Sequence, residues 1–279
     1  MQLEDRVAII TGGGRGIGRA IAAAYAREGA CVVLAARTFS EVETTADFIR
    51  QAGGRALAVP ADVSEQADVN SLVTATTAEF GRIDILVNNA GIYGPIGALV
   101  DLDPTAWMKS IEINLGGPFL CSHAVLPTMI QQQSGKIINL SGGGATSSRP
   151  NFTAYSVAKT GLVRLTEILA DEVRPYNIQV NAIAPGGVDT RLLDAVILAD
   201  TSAGPKALEE ARSLKSGKGT PLEEVVGLAL LLASDACNSL TGRLISVAWD
   251  DWRSIPSRVA SVMASDAYTL RRVVPEVQD

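Results

Sequence analysis

The sequence predicts a doubly wound α/β fold, in which a parallel β-sheet of about seven strands carries helices on both faces. Short apolar runs rich in β-branched residues alternate with helical patterns, which is typical of parallel strands joined by helical crossovers. The composition agrees, because 47% of the residues are hydrophobic and the 26 glycines are spread along the chain. The predicted strands are residues 7–10, 31–35, 55–59, 83–87, 136–140, 178–183 and 243–247.

Polar residues, prolines and glycines predict where several helices begin and end. Two pairs have the spacing of capping boxes, Ser40 with Glu43 and Thr220 with Glu223. The prolines expected at a first helical position are Pro104 and Pro221, and the glycines expected just beyond helix ends are Gly53, Gly54 and Gly81. A long helix is predicted from about residue 153 to about residue 173.

Length and charge exclude several classes of protein. The 279 residues predict one domain over residues 1–279. With a net charge of −6, a pI near 5.0 and no run of Lys or Arg, the chain has no electrostatic pattern for nucleic acid or an anionic membrane. It also has neither a transmembrane-length apolar stretch nor a leader-like N-terminus, so we expect a cytoplasmic protein.

Cysteine and histidine usage predicts no metal site. Cys31, Cys121 and Cys237 are far apart in apolar or helical contexts, so we expect reduced, buried thiols. His123, the only histidine, lies in a helical pattern and is expected to pack there.

The regular alternation is interrupted in two places. Glycines, serines and a proline punctuate short helical pieces at about residues 190–218, and we interpret this segment as a mobile lid. A C-terminal extension at about residues 250–279 contains a weakly helical stretch over 256–270. It could be an oligomer contact, a flap or an ordinary surface helix. The tryptophans at 249 and 252 could shape a substrate pocket or a subunit contact, and packing in the core or at an interface is favoured.

A glycine-rich turn follows the first predicted strand directly. Glycines let the backbone approach a pyrophosphate, and the free amides and dipole of the following helix stabilise its charge. The spacing differs from G-x-G-x-x-G, and a simple tight turn is the alternative. The position, at the first strand-to-helix junction, favours nucleotide binding by Gly12, Gly14, Arg15, Gly16, Ile17 and Gly18.

Tyr155 and Lys159 are the predicted proton-transferring pair. Four residues apart on a predicted helix, they share one face. The pKa of a phenol must fall by about three units for the phenol to act as a base near neutrality. This fall requires roughly 4 kcal/mol of phenolate stabilisation. A neighbouring ammonium in a low-dielectric cleft can provide that stabilisation. The alternative is an exposed pair on a solvated helix face.

The ordered set of motifs resembles the short-chain dehydrogenase/reductase family over about residues 5–248. Besides the glycine turn and the Tyr155–Lys159 pair, the motifs are Asp62-Val63, Asn88-Asn89-Ala90-Gly91, Asn114, and Pro185-Gly186 with Thr190. The resemblance implies a Rossmann-like oxidoreductase that uses NAD(P)(H), acts on a small-molecule carbonyl or alcohol, and forms a homodimer or homotetramer.

The resemblance also implies roles for single residues. Asn114 lies in a helical segment that residues 115–118 interrupt. It would hold a water that links Lys159 to solvent, and the alternative is that it caps a helix. Lys159 would also hold the nicotinamide ribose. The remaining cofactor contacts implied are Asp62 and Val63 at the adenine, Asn89, Ala90 and Gly91 at the adenosine, and Pro185, Gly186, Val188 and Thr190 at the nicotinamide and phosphate.

The end of the second strand predicts the choice of cofactor. A carboxylate there would bond the ribose 2′-hydroxyl and repel a 2′-phosphate, but this chain has Ala36 followed by Arg37. Arg37, with Arg15 from the glycine turn, suits a phosphate dianion. NADP(H) is therefore the expected cofactor, with NAD(H) as the alternative if Arg37 points into solvent.

The family's substrate-binding serine is displaced by one residue. Counting thirteen back from Tyr155 gives Gly142, and Ser141 precedes it. A one-residue shift in a strand turns a side chain to the opposite face. We expect Ser141 to serve as the donor if the glycine run bends the chain; the alternatives are Thr146, Ser147, Ser148 or backbone amides of the glycines.

The predicted function is reduction of a ketone or aldehyde by NADPH, with Tyr155, Lys159, Asn114 and Ser141 as catalytic residues. An NAD-dependent dehydrogenase of a sugar or other secondary alcohol is the alternative within this class. A non-catalytic cofactor-binding sensor or scaffold is the alternative of another class. A nucleotide-sugar epimerase or dehydratase is disfavoured because the chain leaves no room for a separate substrate domain.

Overall fold

The computed structural model describes residues 1–273, and its centre is a sheet of seven parallel strands. In spatial order they run β3, β2, β1, β4, β5, β6, β7. The strands are β1 (Val7–Thr11), β2 (Cys31–Ala36), β3 (Arg55–Pro60), β4 (Ile85–Asn88), β5 (Gly135–Leu140), β6 (Ile178–Ala184) and β7 (Leu244–Ser246). The predicted fold class is confirmed, and each predicted strand is found within one or two residues of its predicted ends.

The strand order reverses between β1 and β4. Strands β1, β2 and β3 follow one another toward one edge of the sheet. The chain then returns, and β4 lies on the other side of β1, where Ile9 pairs with Leu86. In open parallel sheets the carboxyl ends of the strands at such a reversal leave a crevice between the loops on either side. The glycine turn after β1 and the Asn88–Gly91 segment after β4 both open onto this edge.

The helices pack on both faces of the sheet. One apolar core joins α1, α2, α9 and α10 to strand residues such as Ile10 and Val32, and the other joins α3, α5 and α6 to residues such as Ile9 and Val33. Neighbouring residues of one strand thus face opposite cores. The helices are α1 (Gly16–Arg27), α2 (Phe39–Gln51), α3 (Gln66–Phe80), α4 (Pro104–Ile111), α5 (Gly117–Gln132), α6 (Thr153–Val173), α7 (Arg191–Ala199), α8 (Pro205–Ser213), α9 (Leu222–Ala233) and α10 (Ile255–Met263).

Some predicted helix boundaries are confirmed and others are wrong. Pro104 begins α4, and the carboxylate of Asp103 accepts from the amide of Ala106 at 2.9 Å. Gly81 ends α3 with a φ of 74°, as a left-handed terminator should. The predicted capping box at Ser40 is wrong, because α2 begins at Phe39 and places Ser40 inside its first turn. The one at Thr220 is also wrong, because Pro221, not Thr220, immediately precedes α9.

The two interrupted segments have defined structure as far as the structure describes them. The predicted lid consists of α7 and α8, followed by a π-helical turn over Leu214–Lys218. The predicted C-terminal helix is shorter than expected and ends at Met263. The part of the C-terminal extension at residues 274–279 lies outside the described residues.

Cys31, Cys121 and Cys237 are free and buried, as predicted. Over residues 1–273, no helix combines the length and apolar character that a membrane span requires. The expectation that His123 packs within its helix is wrong, because it lies exposed on α5, with its ring centroid 5.9 Å from that of Phe119.

Candidate active site

The glycine turn offers backbone amides at the start of α1. Arg15 precedes the helix in an extended conformation, and its side chain makes no capping hydrogen bond. Gly12 and Gly16 have φ values of 65° and 52°, a region that glycine adopts without strain. A Cβ on Gly18 would lie 2.4 Å from the carbonyl oxygen of Gly12, so this position has room only for glycine. Uncapped amides at a helix start suit a pyrophosphate.

A hydroxyl and an amide tie this turn to the segment after β4. Thr11 Oγ1 accepts from the backbone amides of Asn89 and Ala90 at 3.0 and 3.1 Å. The Asn89 side chain donates to the carbonyl oxygens of Thr11 and Gly12 at 2.8 and 3.2 Å. Asn89 therefore fixes the shape of the glycine turn. Thr11 was not predicted as a site residue, although a hydroxyl at the carboxyl end of the first strand was a usable signal.

Asn114 lies in a π-helical turn, Glu112–Gly116, between α4 and α5. The chain stays helical here, so the predicted interruption at residues 115–118 is a widened turn rather than a break. The Asn114 side chain is fully buried, donates to the carbonyl oxygens of Ser110 and Ile92 at 2.9 and 2.8 Å, and accepts from the Ile92 amide. Such π-turns are frequent at functional sites.

Lys159 and Tyr155 are buried on one face of α6. Lys159 is 4% exposed and its ammonium donates to the carbonyl oxygen of Leu140 at 2.6 Å. A Cβ on Gly91 would lie 2.7 Å from Asn114 Oδ1 and 3.7 Å from Lys159 Nζ, so the side chains of Asn114 and Lys159 flank the same glycine. The ammonium is 5.7 Å from the centroid of the Tyr155 ring.

Burial shifts the proton affinities of this pair in opposite directions. It raises the pKa of the Tyr155 phenol, with a smaller raising effect from Tyr93 and a lowering effect from Arg149. It lowers the pKa of Lys159 to about 8. Desolvation disfavours the charged form of each group, which explains both directions. The raised pKa of the Tyr155 phenol is opposite to the lowering expected from the sequence, because desolvation is the largest effect on this buried group.

The glycine run after β5 decides which residue faces Tyr155. A Cβ on Gly142 would lie 2.7 Å from the Tyr155 hydroxyl oxygen. Ser141 is 3% exposed, and its hydroxyl donates to the carbonyl oxygen of Lys159 at 3.3 Å. This placement does not fit the expected role of Ser141 as substrate donor. The physical reason is the alternation of side chains at a strand end, which the glycine run does not reverse.

Three arginines and two carboxylates lie around the end of β2. Arg15 Nη1 lies 3.2 Å from Glu41, which also pairs with Arg191 at 3.1 Å. Arg37 Nη1 lies 4.0 Å from Asp62, and more than half of the Arg37 side chain is exposed. Asp62 accepts from the Ser64 hydroxyl at 2.6 Å. Burial opposes ionisation of Asp62, but the Ser64 hydrogen bonds and Arg37 lower its pKa overall.

A cleft of about 910 Å³ opens beside Tyr155. Three groups of residues line it: those predicted to approach the nicotinamide, the glycine run after β5, and residues of the predicted lid, α7 and α8. The predicted residues that line it are Ile17, Tyr155, Pro185, Gly186, Val188 and Thr190. Tyr93 and Arg149 also line it and were not predicted as site residues, because their loops have no pattern that indicates a site. Trp249 lines it as well and is largely exposed, so packing in the core, one of the favoured expectations for this residue, is wrong.

A sequence profile of the short chain dehydrogenase family matches residues 6–199. The chain belongs to the short-chain dehydrogenase/reductase family. It is 41% identical to the short chain dehydrogenase/reductase astE of Aspergillus oryzae, over 88% of this chain and 94% of that protein. It is 38% identical to the cis-4-hydroxycyclohexanecarboxylate dehydrogenase of Sinomonas cyclohexanicum, over 87% of this chain and 95% of that protein.

Solved structures of other short-chain dehydrogenases/reductases share the fold. Levodione reductase superposes with a TM-score of 0.81 at 35% identity, covering 88% of this chain and 96% of that one. NAD⁺-bound xylitol dehydrogenase superposes with a TM-score of 0.82 at 28% identity, covering 88% of this chain and 98% of that one. This short-chain dehydrogenase/reductase is accordingly an oxidoreductase of the kind that acts on secondary alcohols and ketones. Its family uses NAD(P)(H) and binds small-molecule substrates.

The residues present fit such a cofactor. The uncapped amides of α1 and the positive-φ glycines at 12 and 16 suit the pyrophosphate. Asp62 offers a carboxylate near the end of β3, and Gly186, with a φ of 76°, lines the cleft beside Tyr155. Within residues 1–273, no group of three or more His, Cys, Asp or Glu side chains could hold a metal ion.

Proposed function

We propose that this enzyme reduces a ketone or aldehyde with NADPH, using Tyr155 as the proton donor. The observation that carries the proposal is the buried phenol of Tyr155, whose hydroxyl faces Gly142 in a cleft large enough for a small-molecule substrate. A protonated phenol is the form that donates to a carbonyl oxygen, as the reductive direction requires.

The two transfers balance as a simple reduction. The chemistry that a bound nicotinamide supplies is a hydride for the carbonyl carbon. Tyr155 donates its proton to the carbonyl oxygen, and the phenolate left behind is stabilised by the Lys159 ammonium, which lies on the same helix face. Asn114, buried beside Lys159 at Gly91, fits a role in returning a proton to this pair from solvent through a water molecule.

The substrate oxygen has a second partner in the glycine run after β5. Ser141 points to the carbonyl oxygen of Lys159, while Gly142, Gly143, Gly144, Ser147 and Ser148 line the cleft. We propose that backbone amides of these glycines hold the oxygen, since their missing side chains leave the backbone accessible. One such donor is worth on the order of 3 kcal/mol in a transition state.

The preference for NADPH rests on Arg37. Its guanidinium is largely exposed, follows β2 directly and is 4.0 Å from its nearest carboxylate, so it remains free to bind a 2′-phosphate. Arg15 would have to share its charge between that phosphate and Glu41. The Arg15–Glu41 pair is what favours the alternative, an NAD-dependent dehydrogenase of a secondary alcohol.

A fluorescence titration of the purified protein with NADPH, and separately with NADH, tests this preference. We expect tighter binding of NADPH, and we expect Arg37→Gln to weaken NADPH by about 10- to 100-fold while leaving NADH nearly unchanged. Arg27→Gln is the matched control, because Arg27 is exposed at the end of α1 and its side chain donates only locally, to Ala23. Preference for NADH in the unaltered protein would reject NADPH and redirect the substrate screen to alcohols and sugars.

We also propose a homodimer or homotetramer. Three large apolar side chains are about half exposed on two neighbouring helices, Phe119 on α5 and Val157 and Ile168 on α6. Exposed apolar groups on adjacent helices are the kind of surface that a subunit contact covers where they form a continuous patch. Light scattering after size exclusion gives the mass directly, and a monomer at micromolar concentration would reject this assembly.

A further inference from the structure

One cation stands close to Tyr155 in the cleft. Arg149 lies in the loop between β5 and α6, with the guanidinium carbon 4.2 Å from the ring centroid of Phe152 and 5.5 Å from that of Tyr93. Its Nη1 donates to the Tyr93 hydroxyl at 3.4 Å, and its side chain is 25% exposed. Two aromatic rings therefore hold the guanidinium in one place before any ligand arrives.

Tyr93 connects this cation to the reacting centre. The Tyr93 and Tyr155 rings meet edge to face with centroids 4.7 Å apart, so the guanidinium is one aromatic ring away from the proton donor. Arg149, Tyr93 and Tyr155 all line the same cleft. A substrate whose carbonyl oxygen meets Tyr155 would thus extend toward Arg149 over a distance of a few bonds.

The Arg149 guanidinium makes only long polar contacts within the described part of the protein. Its Nη2 lies 3.8 Å from Glu210 Oε2, which is longer than a hydrogen bond, and the Tyr93 contact uses only one N–H at long range. Arg149, Lys206 and Lys218 line the cleft, and Glu210 is the one acidic residue beside them among residues 1–273. The cleft is thus locally positive in a chain whose net charge is −6.

We propose that Arg149 binds a carboxylate of the substrate, so that the cleft selects keto acids over neutral ketones. The planar fork of a guanidinium matches a carboxylate with two parallel N–H···O bonds, and a partly buried setting strengthens them. This inference rests on the proposed carbonyl reduction, because it names the class of compound that the same cleft accepts.

The test compares keto acids with their own methyl esters. Reduction of 4-oxopentanoate through 7-oxooctanoate, and of the matching esters, is followed with each variant as kcat/KM. For at least one chain length we expect the acid to exceed its ester, and Arg149→Gln to lower kcat/KM for that acid by about 10- to 100-fold while changing the ester by less than about threefold. Arg212→Gln, on the exposed side of α8, is the matched control and should change neither.

Glu210→Gln separates substrate binding from a contact within the protein. If Arg149 served only to fasten α8 through Glu210, removing either partner would have the same effect on every substrate. If Arg149 binds the substrate carboxylate, the two variants should differ. Arg149→Gln lowers kcat/KM for the acid, whereas Glu210→Gln removes a competing carboxylate and should leave it equal or raise it. Equal losses for acid and ester in both variants would overturn the proposal.

The remaining outcomes distinguish this inference from the proposed reduction. Reduction of esters as fast as acids, with Arg149→Gln without effect, would reject the carboxylate site and leave the reduction intact. If no carbonyl compound is reduced, calorimetric titration of 7-oxooctanoate and its ester into the protein with NADPH decides the point. Tighter binding of the acid that Arg149→Gln abolishes would support the site, and equal binding would reject it.

Discussion

The two sides of the proposed site are built in different ways. On the proposed cofactor side, Thr11, Asn89 and the glycine turn form a closed set of hydrogen bonds at 2.8–3.2 Å, and a side chain on Gly18 would collide with backbone. On the proposed substrate side, the loop after β5 and helices α7 and α8 surround an open cleft, and an added Cβ on Gly142 or Gly187 would meet the side chain of Tyr155 or Leu214. The proposed cofactor side is therefore fixed by backbone geometry, and the proposed substrate side is bounded by side chains. Substitutions should reveal this difference.

The largest effect is expected from Tyr155→Phe. Removing the phenol oxygen removes the proton donor, so activity should fall by about 10³-fold, within the range of general acid catalysis. The ring still packs against Tyr93, so cofactor affinity should change by less than about threefold. Steady-state rates and a cofactor titration of the same preparation measure both. Retained activity would remove Tyr155 from the mechanism.

Gly18→Ala should damage the cofactor side in particular. The added methyl would lie 2.4 Å from the carbonyl oxygen of Gly12, so the turn must shift at a cost of about 1–3 kcal/mol. We expect cofactor affinity to fall by about 10- to 100-fold, together with a lower Tm. Gly143→Ala, which meets nothing, is the control. An unchanged Kd in Gly18→Ala would show that the turn is less rigid than its contacts indicate.

Gly142→Ala should act on the other half. Its methyl would lie 2.7 Å from the Tyr155 oxygen, so we expect kcat to fall by about tenfold through displacement of the phenol, with little change in cofactor affinity. Ser141→Ala is the comparison, since that hydroxyl bonds the carbonyl oxygen of Lys159 and should change kcat by less than about threefold. A larger loss in Ser141→Ala than in Gly142→Ala would restore Ser141 as the substrate donor.

The smallest effect is a pH dependence of the reductive reaction. Burial lowers the pKa of Lys159 to about 8, so its ammonium is present below that pH and is lost as the pH rises through it. Tyr155 stays protonated over this range because burial raises its pKa. Activity should therefore be level well below pH 8 and fall by about fivefold between pH 8 and pH 9. Lys159→Arg keeps the charge, so in that variant the fall should disappear or move to higher pH.

The sequence predicts the cofactor side of the site better than the substrate side. The glycine turn and the Tyr155–Lys159 spacing have local patterns with physical reasons, Asp62 and Asn89 were implied only by the family resemblance, and the predicted fold is confirmed. Gly142 and Ser141 could be counted but not oriented, because only the path of the chain after β5 decides which of them faces the cleft. Arg149 and Tyr93 have no pattern, because a cation held between two rings from different loops exists only after folding.

Helix starts were the least predictable element. Ser40 and Thr220 have the composition of capping residues, yet α2 and α9 begin elsewhere. Side-chain hydrogen bonds at caps contribute about 1 kcal/mol, and packing of a helix on the sheet contributes more. The boundary therefore follows the packing. Asp103-Pro104 succeeded because two local signals coincide there.

The three tryptophans occupy different surroundings, so the intrinsic fluorescence of the enzyme can report on the cleft. Trp252 is buried against Gly227, and the Trp107 indole donates to the Thr153 hydroxyl at 3.0 Å. Trp249 is 89% exposed and lines the cleft. Its emission is open to quenching by whatever enters, while the other two provide a steady background. Trp249→Phe would remove that signal without altering Tyr155 or the glycine turn, so it identifies the part of the emission that reports occupancy of the cleft.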